Sequence, residues 1–429
     1  MDVLDIAVCA LASLAGAGMG TFSGLVPGIH VNTLAAVMLA SYPAMEAALS
    51  GFMDPGSAAV AACCCIMSAS VVHSFLDFVP SVFIGAPDSE DCVSVLPGHR
   101  LLLQGRGMAA VRSAAIGSLV GTSAAILLAV PLQWLMLSGA DEALDRMTPF
   151  VVSGAALMIV LAQFRRGSGP AGIAAFLISG ALGLALMRLP IPSEGIFGEG
   201  SLMFPMLCGL FGIPVLLGTA SEGKAPEQED EGTDPEVAGA GLRGVAMGCV
   251  AGWFPGITAT VGASISACFM PENRPDRFIA SVASIGSVTA VLSLVTLSVS
   301  GSGRSGTALV IGDIAGTALT GIASEAFLTL LLSAAVGSLC GYVLTIRAGK
   351  AFAAVAGSVD QSRLSMAVLA ADVVLVLVLT GPFGIAVLAA ASATGFLPEK
   401  FGTDRTALCG CLLLPVLVNE IGAWTPPWS

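Results

Sequence analysis

Two short segments of an otherwise apolar chain bring polar side chains and a helix-breaking pair together at one fixed spacing. The first reads Gly20-x3-Gly24-x2-Pro27-Gly28-Ile29 and is followed at once by His30, Asn32 and Thr33, with Ser23 just before it. The second reads Gly248-x3-Gly252-x2-Pro255-Gly256-Ile257, followed by Thr258, Thr260 and Ser264. Proline lacks a backbone donor and pushes the residue before it out of the helical region, so each Pro-Gly pair predicts an interrupted helix. A restarted helix presents its first amide N–H groups and the positive end of its dipole, and both favour an anion. Hydroxyl, carboxamide and imidazole groups on the turn after the break add donors. The chemistry predicted is reversible binding of an anion.

Bond-making chemistry has no comparable support. The chain contains no phosphate-cradling P-loop, no His-Glu-x2-His and no Gly-x-Ser-x-Gly. Only three histidines are present. The chain is therefore read as a non-enzyme, with no catalytic set, no metal site and no cofactor beyond a coupling Na+ or H+. The eleven cysteines lie mostly inside apolar runs and read as small buried hydrophobes.

The elements that position the two segments follow from composition. The 429 residues are 55% hydrophobic and only 11% charged, with a mean hydropathy of +0.91, against about 25% charged in soluble domains. Apolar runs long enough to cross ~30 Å of hydrocarbon recur from end to end. The fold class is an all-α polytopic membrane protein of the cell membrane. Asp2 and Asp5 replace the basic start of a signal peptide, so the first run is expected to be a retained helix. No basic cluster suggests nucleic acid.

One stretch interrupts the apolar pattern. Ser221 to Glu236 carries seven acidic residues against Lys224 alone and reads as a solvated linker, because it cannot bury a core. It divides the chain into a first transmembrane repeat (1–220), an acidic linker (221–238) and a second repeat (239–429). Each repeat opens with one of the matched Pro-Gly segments, which marks an internal duplication. Basic residues follow the even runs in the first half (Arg100, Arg106, Arg112, Arg165, Arg166) and the odd runs in the second (Arg274, Arg277, Arg347, Lys350, Arg363, Lys400, Arg405). That parity flip predicts inverted repeats with re-entrant segments, the acidic linker outside and both termini inside. The two breaks would then meet near the bilayer midplane and hold the anion between them.

A second polar group spans His73 to Gly107, where Pro80, Gly85, Pro87, Pro97 and Gly98 forbid one continuous helix. Asp77 lies there within an apolar stretch, and intramembrane carboxylates are costly and usually functional. Asp313, Glu325, Asp372 and Glu420 are further candidates for binding a coupling cation. Arg304 and Asp313 mark the matching region of the second half.

These motifs, with "LPGHRLLLQGRGMAAVRSAAIGSLVG" (Gly105, Gly107, Ala109, Gly117, Ser118 and Gly121), resemble the large permease subunit of tripartite tricarboxylate transporters, in a divergent, archaeal-looking form. His30 and Thr258 stand where the family's Pro-Gly-x-Gly pattern has its second glycine. The resemblance implies a cation-coupled secondary transporter for a small organic anion such as a di- or tricarboxylate. It also implies a small membrane subunit and an extracytoplasmic solute-binding protein as partners. The lipid bilayer surrounds such a chain, and assembly into a homo-oligomer is open to it. An alternative built on the same anion cradle is a lipid-phosphate translocase for a polyprenyl-phosphate-like head group.

Overall fold

The computed structural model describes residues 2–26, 29–85, 95–190, 192–196, 198–199, 201–219, 226–229, 232–255, 257–269, 274–301, 303, 305–358 and 360–423. Pro27, Gly28 and Gly256 of the matched segments lie outside the described residues, as do Pro87 and Arg304. The chain is helical almost throughout, and seven helical stretches among the described residues are long and apolar enough to cross a membrane.

The first half runs α1 (Val3–Leu25), α2 (Val31–Leu49), α3 (Pro55–Leu76), α4 (Phe78–Phe83), α5 (Val95–Leu103), α6 (Gly107–Leu135), α7 (Asp141–Arg165), α8 (Gly169–Arg188), α9 (Met203–Leu207) and α10 (Ile213–Thr219). The second runs α11 (Val237–Trp253), α12 (Ala259–Ala267), α13 (Pro275–Ser300), α14 (Gly306–Ala315), α15 (Glu325–Ala356), α16 (Gln361–Gly395), α17 (Leu397–Phe401) and α18 (Gly410–Ala423). A two-residue ladder, β1 (Glu194–Gly195) against β2 (Gly198–Glu199), interrupts the helices after α8.

Helix α1 starts on a capping box, in which Asp2 accepts from the Asp5 amide and Asp5 from the Asp2 amide. It ends where Val26, before the proline, turns extended. Its 23 residues rise about 34 Å at 1.5 Å per residue, enough to cross by themselves. α3 runs the same way as α1: Asp5 meets Ser57, and Gly16, Gly20 and Gly24 face Cys65, Ala69 and Leu76 in turn. The helix between them must return. α1 and α2 thus form a helical hairpin, a correction to the expectation of one interrupted crossing.

The second half repeats this seam. Gly244, Gly248 and Gly252 of α11 face Ser281, Val288 and Leu292 of α13. Glycine at every fourth residue strips one face of side chains, so two backbones approach closely where hydrophobicity gives no preference. A Cβ on Gly248 would stand 2.6 Å from Val288 Cβ.

Between the halves the packing is exchanged. Gly117 and Gly121 of α6 lie against Ala280 and Ser284 of α13, while Gly337 and Gly341 of α15 lie against Ser68 and Phe75 of α3. α6 therefore runs with α13, and α15 with α3. Ser74 of α3 meets Ser118 of α6, and Phe83 approaches Gly107, so α3 and α6 run oppositely. It follows that α3 and α13 are antiparallel. These two form the buried centre, and their small hydroxyls are hidden between helices: Ser333 donates to Cys64 O (2.6 Å) and Thr296 to Gly252 O (3.0 Å).

Charges segregate to the two ends of this bundle. Asp234 of the linker binds Arg277 (2.9 Å), Gln228 accepts from the Gly107 amide (2.9 Å), and Arg106 reaches Asp276 (3.5 Å). Gly349, between Arg347 and Lys350, packs on Met108 and Val111 of the same end. Arg165 and Arg166 lie within electrostatic reach of Cys268, which closes α12, and Arg166 pairs with Asp404 beside Arg405. The opposite end holds Asp2, Asp5, Asp54 and the α7 start with Asp141 and Glu142. The linker and Arg165–Arg166 therefore share one face, which overturns the expectation that they lie on opposite sides. The start of α1 and the end of α18, where Arg188 donates to Asn419, lie on the other face. α11 begins at the linker face, and α1 at the opposite one.

Candidate functional site

The turn after α1 ends at His30, the N-cap of α2, whose Nδ1 accepts from the Asn32 amide at 3.1 Å. The Thr33 amide donates to His30 O at 3.0 Å, and the Thr33 side chain is exposed. The first amides of α2 are thus partly satisfied by the cap itself. Asn32 turns its carboxamide across to the second half. Its Oδ1 accepts from the Thr307 amide (3.0 Å) in the first turn of α14, and Gly306 is small enough to admit it: a Cβ there would meet Asn32 Cγ at 2.8 Å. Two helix N-termini, one from each half, therefore face one another.

A cavity of about 20 Å³ lies between them, lined by His30, Asn32, Ser70, His73, Ser74, Thr289, Ser305 and Thr307 among others. That is room for about one water molecule. The His30 and His73 rings meet edge to face with centroids 4.8 Å apart, and Ser23 Oγ stands 3.0 Å from His73 Nδ1. His73 and Thr289 stand three residues before Leu76 and Leu292, the leucines that receive Gly24 and Gly252. The two equivalent positions of the central helices so reach the same cavity.

Of the first segment, Ser23, His30 and Asn32 converge here, and Gly24 provides the close approach of α1 to α3. The second segment does not join them. Thr258 caps α12 by accepting from the Val261 amide (3.4 Å), while buried Thr260 and Ser264 face elsewhere, with Ser264 Oγ 3.1 Å from Cys409 Sγ. Gly252, Trp253 and Phe254 line a separate apolar cavity of about 190 Å³ with Leu132, Met136 and Leu144, and Pro255 is half-buried beside them. Gly24 packs on Leu76, seven residues before the end of α4, and Gly252 on Leu292, eight before the end of α13. Gly24 and Gly252 thus stand about 10–12 Å short of opposite ends of the bundle, at 1.5 Å per residue.

The residues that sequence reasoning left outside the site are Ser70, His73, Ser74, Thr289, Ser305 and Thr307. Their signal was polarity within apolar runs, but the pairing of α2 with α14 is tertiary. The five acidic candidates separate. Asp77 is buried one turn beyond His73, and Asp372 is buried with the Cys208 thiol donating to it at 3.7 Å. Asp313 and Glu325 are exposed, and Glu420 is half-buried next to Asn419.

Comparison with known proteins decides the affiliation of this architecture. Residues 10–410 match the family model described as the tripartite tricarboxylate transporter TctA family. The chain belongs to that family. It is accordingly a multi-pass membrane permease of a tripartite transporter, not an enzyme, and its family works together with other tripartite components. An uncharacterised protein of Methanocaldococcus jannaschii is 28% identical over 299 residues, covering 68% of this chain and 69% of that protein. No solved structure matches the chain.

Proposed function

We propose that this TctA-family chain carries a small organic anion, a di- or tricarboxylate, and that one carboxylate is held between the N-termini of α2 and α14. The observation that carries this reading is the convergence of those termini, one from each half, on the cavity of His30, Asn32, His73, Thr289 and Thr307. Both dipoles place positive ends there, and the side chains supply donors in a region screened from water. The cavity holds no more than one small group, so a whole substrate enters only when α2 and α14 part.

The antiparallel course of α3 and α13, with their exchanged partners, supports inverted repeats, the symmetry on which alternating access is built. Arg106, Arg165, Arg166, Arg277, Arg347, Lys350 and Arg405 lie at the linker face, which supports that face as cytoplasmic and the start of α1 as extracytoplasmic. The substrate then arrives from a solute-binding protein at the acidic face. Asp77, one turn beyond His73, is the candidate for binding a coupling cation. The test is equilibrium binding of citrate, malate and succinate to the protein in lipid nanodiscs. Saturable binding of one of them, lost in folded His73→Ala, is expected; a folded protein that binds none overturns the reading.

A further inference from the structure

The linker face holds a cavity that the transport reading does not use. It measures about 440 Å³ and is lined by Arg100 of α5, by Gln104 and Arg106 just after it, by Gly232, Thr233 and Asp234 of the linker, and by Arg274, Pro275 and Asp276 at the start of α13. That volume lies within the range of small-ligand sites, about 300–1,000 Å³. Three guanidinium groups from three separate elements converge on it, against two carboxylates.

Both carboxylates are already shared. Asp234 makes its close contact with Arg277 Nε at 2.9 Å, and Arg274 reaches the same oxygen only at 3.8 Å. Asp276 meets Arg106 at 3.5 Å. Arg100 is exposed and forms no ion pair among the described residues. Among the described lining residues three guanidiniums thus stand against two carboxylates, and Arg274 reaches Asp234 only at 3.8 Å, too long for a strong hydrogen bond. A planar guanidinium binds paired oxygens of phosphate or carboxylate in two parallel hydrogen bonds. A phosphoryl group offers three oxygens and close to two negative charges, which suits three converging guanidiniums better than one carboxylate does.

We propose that this cavity binds a phosphoryl-bearing anion, and that Asp234 competes with it for Arg274, so that occupancy loosens the linker from α13. The proposal does not rest on the transport reading. Inorganic phosphate is the probe for a free anion, and phosphatidic acid in the nanodisc is the probe for a lipid headgroup. Binding is measured by calorimetry for phosphate, and by the rise in unfolding temperature for phosphatidic acid over phosphatidylcholine. Arg100→Gln and Arg274→Gln should each weaken the response of the folded protein about tenfold or more, the loss of one charge-assisted bond. Asp234→Asn should strengthen it several-fold, because it removes the internal competitor. A role confined to tethering the linker would instead make Asp234→Asn less stable with no gain in anion binding. Response to phosphate in phosphatidylcholine discs identifies a free anion as sufficient, and response to phosphatidic acid alone identifies the headgroup. No response to either probe, or arginine variants that respond like the parent, overturns the proposal. Carboxylate binding at the His30–His73 cavity is read separately with citrate, so failure of either site leaves the other to stand on its own result.

Discussion

Substituting Asn32 two ways separates its structural contact from its place beside the anion. Its Oδ1 takes the Thr307 amide at 3.0 Å, and the side chain lines the cavity. Asn32→Ala leaves that amide without its acceptor, a loss of about 1–3 kcal/mol for a buried donor, so the unfolding temperature should fall. It also removes a donor from the anion site and should weaken carboxylate binding about tenfold. Asn32→Asp keeps an oxygen for Thr307 and adds a negative charge near the start of α14, where a helix favours one. Its stability should match or exceed that of the alanine variant. Its binding should be far worse. Two unit charges about 5 Å apart at an effective dielectric near 20 repel by about 3.3 kcal/mol, which is about 200-fold at 1.4 kcal/mol per decade. The assay is thermal unfolding and carboxylate binding on the same nanodisc preparations. An aspartate variant that binds a carboxylate as well as the alanine variant would refute an anion site at these helix ends.

Gly248→Val should destabilise the protein by about 1–3 kcal/mol or more, since overpacking a close seam forces backbone apart, while Gly18→Val, which meets nothing within 4 Å, should cost little; thermal unfolding compares them. Single cysteines at Glu229 and Arg165, in a background without the native ones, should label from the same side of the membrane, and one at Gly51 from the other. The pH dependence of the linker follows from Asp234, whose carboxyl is held below the usual range first by the Glu236 amide and then by Arg277. A depressed native value means the tether is complete above the ordinary carboxyl range, about 3.9, and is lost as pH falls through the native value. Protection of the linker amides at residues 227–229 and 232–236 from hydrogen exchange, measured relative to the intrinsic rate at each pH, should therefore be high at neutral pH and low in acid, and Asp234→Asn should be weakly protected at both.

Composition was enough to read an all-α membrane bundle, because a scarcity of charge is a local signal, and the paired Pro-Gly segments marked the ends of α1 and α11. Gly20, Gly24, Gly248 and Gly252 were visible in the motif, although their role as one face of a seam needed Gly16, Gly244 and the opposing helices. Hydropathy could not tell an interrupted crossing from a hairpin, since α1, its turn and α2 form one apolar run. That ambiguity separated the linker from Arg165–Arg166, because the linker's Asp234–Arg277 and Gln228–Gly107 contacts are long-range. The site was half legible for the same reason. His30 and Asn32 announced themselves as polar residues after a break, but their partners Thr307 and Thr289 lie more than 250 residues away.

The exchange of α6 and α15 between halves also sets an order of assembly. The glycine face of α6, at Gly117 and Gly121, is shaped for α13, and α13 begins only at Pro275. During synthesis α6 enters the bilayer before its partner exists. Central helix α3 likewise waits for α15, whose first residue is Glu325. The first half can insert but cannot close, and the faces of α3 and α6 that receive α15 and α13 stay unpaired until the second half arrives. A chain interrupted between residues 226 and 275 would leave α3 and α6 as halves of two unfinished seams, open to any other membrane helix with a small-residue face.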